Sequence, residues 1–367
     1  MLFILATAWL PASAGAQSGA ERYVVVLADR VSSPGAVADD HARRHAASIR
    51  FVYQHALKGY AATIPSARVD DVRADSRVAS VNLDGTVRAT AQSLPWGIDR
   101  IGADVSSTLA GNGTGDVSNV NTYVIDSGID AKHKDLNVVR HVNFAGGRNT
   151  DCNGHGTHVA GTVSARDNSL DVVGAAPGAP LTGVKVLGCN GSGTLSGVIK
   201  GVDWVTGNAV RPAIANMSLG GSAYAPLDDA VRKSADSGVF YSLAAGNEGA
   251  DACDSSPARA GTHSGVATVA ATDTSDRETS WSNHGSCVDI WAPGASILST
   301  KRGGGTTTLS GTSMAAPHVG GTGALFLSSS TGASAATVES AIKTNALSTG
   351  TFSKDGGPIT LGWAGNF

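Results

Sequence analysis

Gly311-Thr312-Ser313-Met314-Ala315-Ala316-Pro317-His318 places one serine between a glycine turn and a long run of small and apolar residues. A serine hydroxyl attacks well only when a base takes its proton, and that base needs a third group to orient it. Two upstream stretches offer those groups: Val124-Ile125-Asp126-Ser127-Gly128 and His155-Gly156-Thr157-His158-Val159-Ala160-Gly161. Acid, base and nucleophile then follow the chain order Asp126, His155, Ser313. Each residue also has a plainer reading. Asp126 alone is a turn aspartate before Gly128, and Ser313 alone is a helix N-cap. His155 and His158 could pair on a metal, but metalloproteases need a Glu base and histidines four apart.

Working outward from these stretches, the pattern alternates. Strand-like runs at Thr122–Ile125, Leu181–Leu187, Ala213–Leu219, Val239–Ala245 and Val266–Ala271 are separated by helical ones. The helical runs are His155–Ser164, Ser196–Asn208 and Leu227–Asp236, and Thr312–Leu327 reads as a long buried helix with Ser313 in its first turn. In the second, Val198, Ile199, Val202 and Val205 share one face. This alternation predicts an α/β fold, a mainly parallel sheet between two layers of helices.

The 367 residues suffice for one large domain and a small one. Charged residues make up 16% and the net charge is −3, which argues against nucleic acid as the main partner. Residues 1–16 read as a secretory signal, with an apolar run at Leu2–Leu10 and the small residues Ala14-Gly15-Ala16 at its end. The basic start of such a signal is missing, since the first Lys or Arg is Arg22. Residues 21–89 read as a separate small α+β domain. It has strands at Arg22–Leu27, Gly59–Ile64 and Val78–Leu83 and helices near Val37–Val52 and Val69–Asp75, an order that fits a ferredoxin-like sandwich. Residues 90–367 form the large domain. Its four cysteines, Cys152, Cys189, Cys253 and Cys287, suggest two disulfides in a secreted chain, with three pairings possible.

The three motifs resemble the subtilisin-like serine proteases, in the proteinase K branch and nearest to its secreted aqualysin-like enzymes. The stretches Pro95–Ile101, Asp151-Cys152-Asn153-Gly154, Asn216–Gly221 and Ala244–Gly249 extend the likeness over nearly all of the large domain. The triad order also differs from those of chymotrypsin-like and α/β-hydrolase enzymes. The resemblance implies a three-layer α/β/α fold, an acyl-enzyme on Ser313, and Asn247 as a side-chain donor to the oxyanion. It implies the pairings Cys152–Cys189 and Cys253–Cys287. It further implies that Gly191-Ser192-Gly193 and Ser218-Leu219-Gly220 are two backbone edges between which a peptide lies. Ala244-Ala245-Gly246 would then wall a pocket for large apolar or aromatic side chains.

By the same resemblance, residues 21–89 are an inhibitory propeptide that also assists folding. Cleavage between Thr86 and Ser93, carried out by Ser313 itself, is expected. Calcium at Asp289, with carbonyls from Ser264–Val266, is a further implication, since calcium takes oxygen ligands. A second calcium site near Asp99 and Asp104 looks incomplete, because Gly102-Ala103 stand where further polar ligands belong. No organic cofactor is implied, and the chain is expected to act as a monomer on protein or peptide substrates, away from membranes. An esterase with the same triad and an inactive binding protein are the alternatives.

Overall fold

The computed structural model describes residues 19–85 and 92–367, which fall into two compact units on either side of residues 86–91. The expected leader over residues 1–16 and most of the expected processing segment lie outside the described residues. Among the described residues no helix is long and apolar enough to cross a membrane.

In the smaller unit four strands form one antiparallel sheet, in the order Ser48–Tyr53, Gly59–Pro65, Ala20–Leu27, Val78–Leu83. Helices Pro34–His45 and Val69–Arg73 complete the β-α-β-β-α-β order. The first helix is shorter than the stretch Val37–Val52 read from the sequence. Pro34 sets φ in its first turn, and Ala46 leaves the helix with φ 51°. Beyond that point Ser48-Ile49-Arg50-Phe51-Val52-Tyr53 is rich in β-branched and aromatic residues and pairs with the next strand instead. Val25, Tyr60, Ile64 and Val72 form the fully buried centre of this unit.

The larger unit is built on a nine-stranded sheet. Seven parallel strands run Val138–Asn143, Leu181–Lys185, Asn121–Asp126, Ala213–Met217, Val239–Ala244, Val266–Thr272, Ile290–Pro293. Pro358–Leu361 continues them in parallel, and Leu347–Phe352 closes the edge antiparallel. One face carries helices His155–Ser164, Thr312–Ser329 and Ala335–Asn345; the other carries Leu195–Asn208 and Ala225–Asp236. The central strands are buried end to end, as strands covered on both faces must be. Several end one or two residues before the apolar run does, because the chain turns there into the loops that build the site. The disulfides join Cys152 to Cys189 and Cys253 to Cys287, with Cα–Cα distances of 4.8 and 5.3 Å.

Candidate active site

Asp126 is the last residue of its strand and is fully buried. The His155 Nδ1 lies 2.9 Å from both of its carboxylate oxygens. The approach depends on Gly156, because a Cβ there would fall 2.1 Å from the Gly128 carbonyl oxygen and 3.1 Å from the Asp126 Oδ1. The helix that carries His155 is anchored by Asp151. Its Oδ1 accepts from the Asn153 and Gly154 N–H groups at 2.9 and 2.8 Å, and its Oδ2 from the Thr157 N–H and hydroxyl at 3.1 and 2.5 Å. A carboxylate at a helix start satisfies free N–H groups and suits the helix dipole. Ser127 completes the clamp, donating its hydroxyl to Asp151 at 3.0 Å and accepting from the Gly156 N–H at 2.9 Å.

Burial alone would lower the basicity of the His155 ring, but the adjoining Asp126 carboxylate outweighs it and raises the ring above the ordinary histidine value. The two other buried histidines nearby behave oppositely. His158 donates through Nε2 to the Ile297 and Thr307 carbonyls at 3.0 and 3.2 Å, and His318 through Nδ1 to the Met314 carbonyl at 2.8 Å. With no carboxylate beside them, burial pulls both rings down to about 4. His158 is thus a neutral structural residue, as its spacing from His155 suggested.

Ser313 stands in the first turn of its helix, where its N–H has no main-chain acceptor among the described residues. Its hydroxyl donates to the Ser218 carbonyl at 3.3 Å, and the Ser218 hydroxyl returns a bond to the Ser313 carbonyl at 2.7 Å. Asn247 is held by Thr312, whose N–H and hydroxyl both donate to its Oδ1, at 2.8 and 3.0 Å. The amide oxygen being taken, Nδ2 is the end left free to donate. The Thr312 hydroxyl also accepts from the Gly246 N–H at 3.1 Å.

A cavity of about 650 Å³ is lined by His155, Gly191, Ser192, Gly193, Ser218, Leu219 and Gly220. A second, of about 430 Å³, is lined by Ala244, Ala245, Gly246, Asn247, Thr312 and Ser313, and the two share Leu219–Ser222. Gly193, Leu219 and Gly220 have no main-chain hydrogen-bond partner among the described residues, so both edges can pair with an added strand. The second cavity also meets three acids, Glu248 within the Ala244–Gly249 motif and Asp251 and Asp254 just beyond it. Glu248 is occupied by the Asn247 N–H and the Asn283 amide at 2.8 and 2.9 Å, and Asp251 accepts from the Cys253 N–H at 2.8 Å. The Asp254 carboxylate has no hydrogen-bond partner among the described residues.

Residues 118–361 match the subtilase family and residues 22–90 the peptidase inhibitor I9 family. The chain belongs to the subtilase family. This subtilase is 42% identical over 324 residues to the alkaline serine exoprotease A of Vibrio alginolyticus, covering 81% of this chain and 57% of that protein. It is 44% identical over 289 residues to the extracellular serine proteinase of Thermus sp. (strain Rt41A), covering 75% and 68%. Among solved structures, a cold adapted subtilisin-like serine proteinase is 40% identical with a TM-score of 0.65, over 75% of this chain and 98% of that one.

Three residues of this subtilase's site escaped the sequence reading of roles: Asp151, Thr312 and Lys185. Lys185 ends the strand beside Asp126 and buries its ammonium, donating to the Ser127 and Leu187 carbonyls at 2.7 and 2.8 Å. Its signal was a charge inside the apolar run Leu181–Leu187. Asp289 does not fit calcium. Its Oδ1 takes the Lys343 ammonium at 2.8 Å and its Oδ2 the Thr268 N–H at 2.9 Å. In the Ser264–Val266 region, the Gly265 carbonyl already accepts from the Tyr241 N–H at 3.1 Å.

Proposed function

We propose that this chain is a secreted serine endopeptidase made as a zymogen. Ser313 attacks the scissile carbonyl while His155 takes its proton through Nε2, the nitrogen not facing Asp126. Asp126 fixes the ring's tautomer and stabilises the charge it gains. The Asn247 Nδ2 and the Ser313 N–H donate to the oxyanion. His155 returns its proton to the leaving amine, and water then releases the acyl-enzyme. The observation that carries this reading is the His155–Asp126 pair at 2.9 Å, on a cavity that reaches the carbonyl to which Ser313 donates.

The peptide lies between Gly191-Ser192-Gly193 and Ser218-Leu219-Gly220 as an added strand. Ala244, Ala245 and Gly246 favour a large apolar or aromatic side chain next to the scissile bond. The unpartnered Asp254 on the same cavity supports a second, weaker acceptance of Lys or Arg. The inhibitor-family match at residues 22–90 supports a propeptide that restrains the enzyme until it is cut between Thr86 and Ser93. The extracellular relative supports secretion. Incubation with casein and a peptide library, with sequencing of the products, tests the reading. Cleavage after apolar or aromatic residues supports it; hydrolysis of simple esters without any casein cleavage overturns it.

A further inference from the structure

A carboxylate buried at a strand end must find a counter-charge or give up its own. Asp289 is such a group: it immediately precedes Ile290–Pro293, and its side chain is only 9% exposed. The positive charge beside it comes from the last helix, Ala335–Asn345. Lys343 Nζ lies 2.8 Å from Asp289 Oδ1 and 3.2 Å from Glu339 Oε1, one turn earlier on that helix. Each carboxylate spends its other oxygen on a backbone donor. Asp289 Oδ2 accepts from the Thr268 N–H at 2.9 Å, and Glu339 Oε2 from the Gly265 N–H at 2.6 Å.

This is a donor-rich corner. Calcium requires six to eight oxygen ligands, whereas here all four carboxylate oxygens face N–H groups. A lysine ammonium instead offers three directed donors and suits a site with two acceptors. Gly261 leaves no slack, since a Cβ there would fall 2.6 Å from Asp289 Oδ2.

We propose that Lys343 is the built-in cation of this corner, bridging Asp289 and Glu339 so that no calcium ion is needed to hold the last helix to the sheet. Because the ammonium is covalently part of the chain, this tie cannot be removed by a chelator. Glu339 preceding Lys343 by four residues is also the favourable order for a helical ion pair. The inference does not depend on the proposed reaction.

The test is calorimetry of the full chain in a Ser313→Ala background, where self-digestion cannot contribute, in chelator and in excess calcium. Lys343→Met should lower Tm by roughly 3–6 °C in both media, as loss of one partner of a partly buried pair does. Any calcium-induced rise in Tm should be equal with and without Asp289→Asn, a variant that keeps an acceptor for the Thr268 N–H. A calcium-induced rise that vanishes in Asp289→Asn overturns the proposal. So does an unchanged Tm in Lys343→Met, which decides the matter alone if Asp289→Asn fails to fold.

Discussion

Asp126 and Asp289 sit at opposite edges of one parallel sheet, and each answers the same physical demand differently. Asp126 closes its strand at the carboxyl edge and faces His155. Asp289 precedes its strand at the amino edge and faces Lys343. Histidine gains and loses a proton near neutral pH, while an exposed-side lysine keeps its charge. In the proposed reading, one carboxylate tunes a proton shuttle and the other tethers a helix. Neighbours reinforce the contrast. Beside Asp126, Gly156 lets the ring approach and the N–H groups clamped on Asp151 hold its helix; around Asp289 the Thr268 N–H and the Lys343 ammonium close the corner.

If the contrast is right, the two corners fail in different ways. The largest effect belongs to Asp126→Asn. Loss of the oriented tautomer should lower kcat by roughly 10⁴-fold, the magnitude of the same Asp→Asn change in a serine protease of another fold. Tm should move far less than activity; steady-state kinetics and calorimetry on the same preparation check both. Next comes Asn247→Leu, which removes one oxyanion donor. Removing such a donor in subtilisin costs about 10²–10³ in kcat; the same loss is expected here with KM little altered, and initial-rate kinetics read it.

A smaller, graded effect sharpens the electrostatic half of the comparison. His155 must be neutral to accept the Ser313 proton, and Asp126 raises its affinity for that proton. Activity should therefore fall on acidification with a midpoint above the ordinary histidine value of about 6.5, by about tenfold per pH unit below it. A pH profile of kcat/KM shows this, and the midpoint should move down in Asp126→Asn. The smallest effect is Lys343→Met on catalysis. A change at a distant, independent site should leave kcat/KM within about twofold at a temperature where the protein remains folded. A large loss of activity there would mean that the amino-edge corner also shapes the site.

The two corners also differ in how far the sequence announced them. Asp126, His155 and Ser313 each lie in a short motif of small residues that carries the family resemblance, and Asn247 was singled out by that resemblance alone. The His155 helix was placed to the residue, because its glycines and apolar period coincide. Lys343 gave no such signal. It stands 54 residues from Asp289 along the chain, on an ordinary amphipathic helix, and only packing brings the two together. The same holds for Thr312, whose grip on Asn247 spans 65 residues. In the fold, the strand Ser48–Tyr53 was absorbed into a helix because its apolar residues follow the helix without a proline or glycine between. Ile290–Pro293 and Pro358–Leu361 are too short for a period to emerge. Met314 directly follows Ser313 in the chain, yet its side chain is buried in the cluster that holds Val124, Val159 and Ile297. Consecutive helical residues point about 100° apart, which adjacency in sequence conceals.

The most direct measurement is active-site labelling with a fluorophosphonate, read by peptide mass spectrometry on the wild type and on Asp126→Asn. The expected result is one label per chain, on Ser313, with the rate of labelling strongly reduced in Asp126→Asn. Label on another residue, or casein hydrolysis by a protein in which Ser313 stays unlabelled, would contradict the assignment of Ser313, His155 and Asp126 as a catalytic unit.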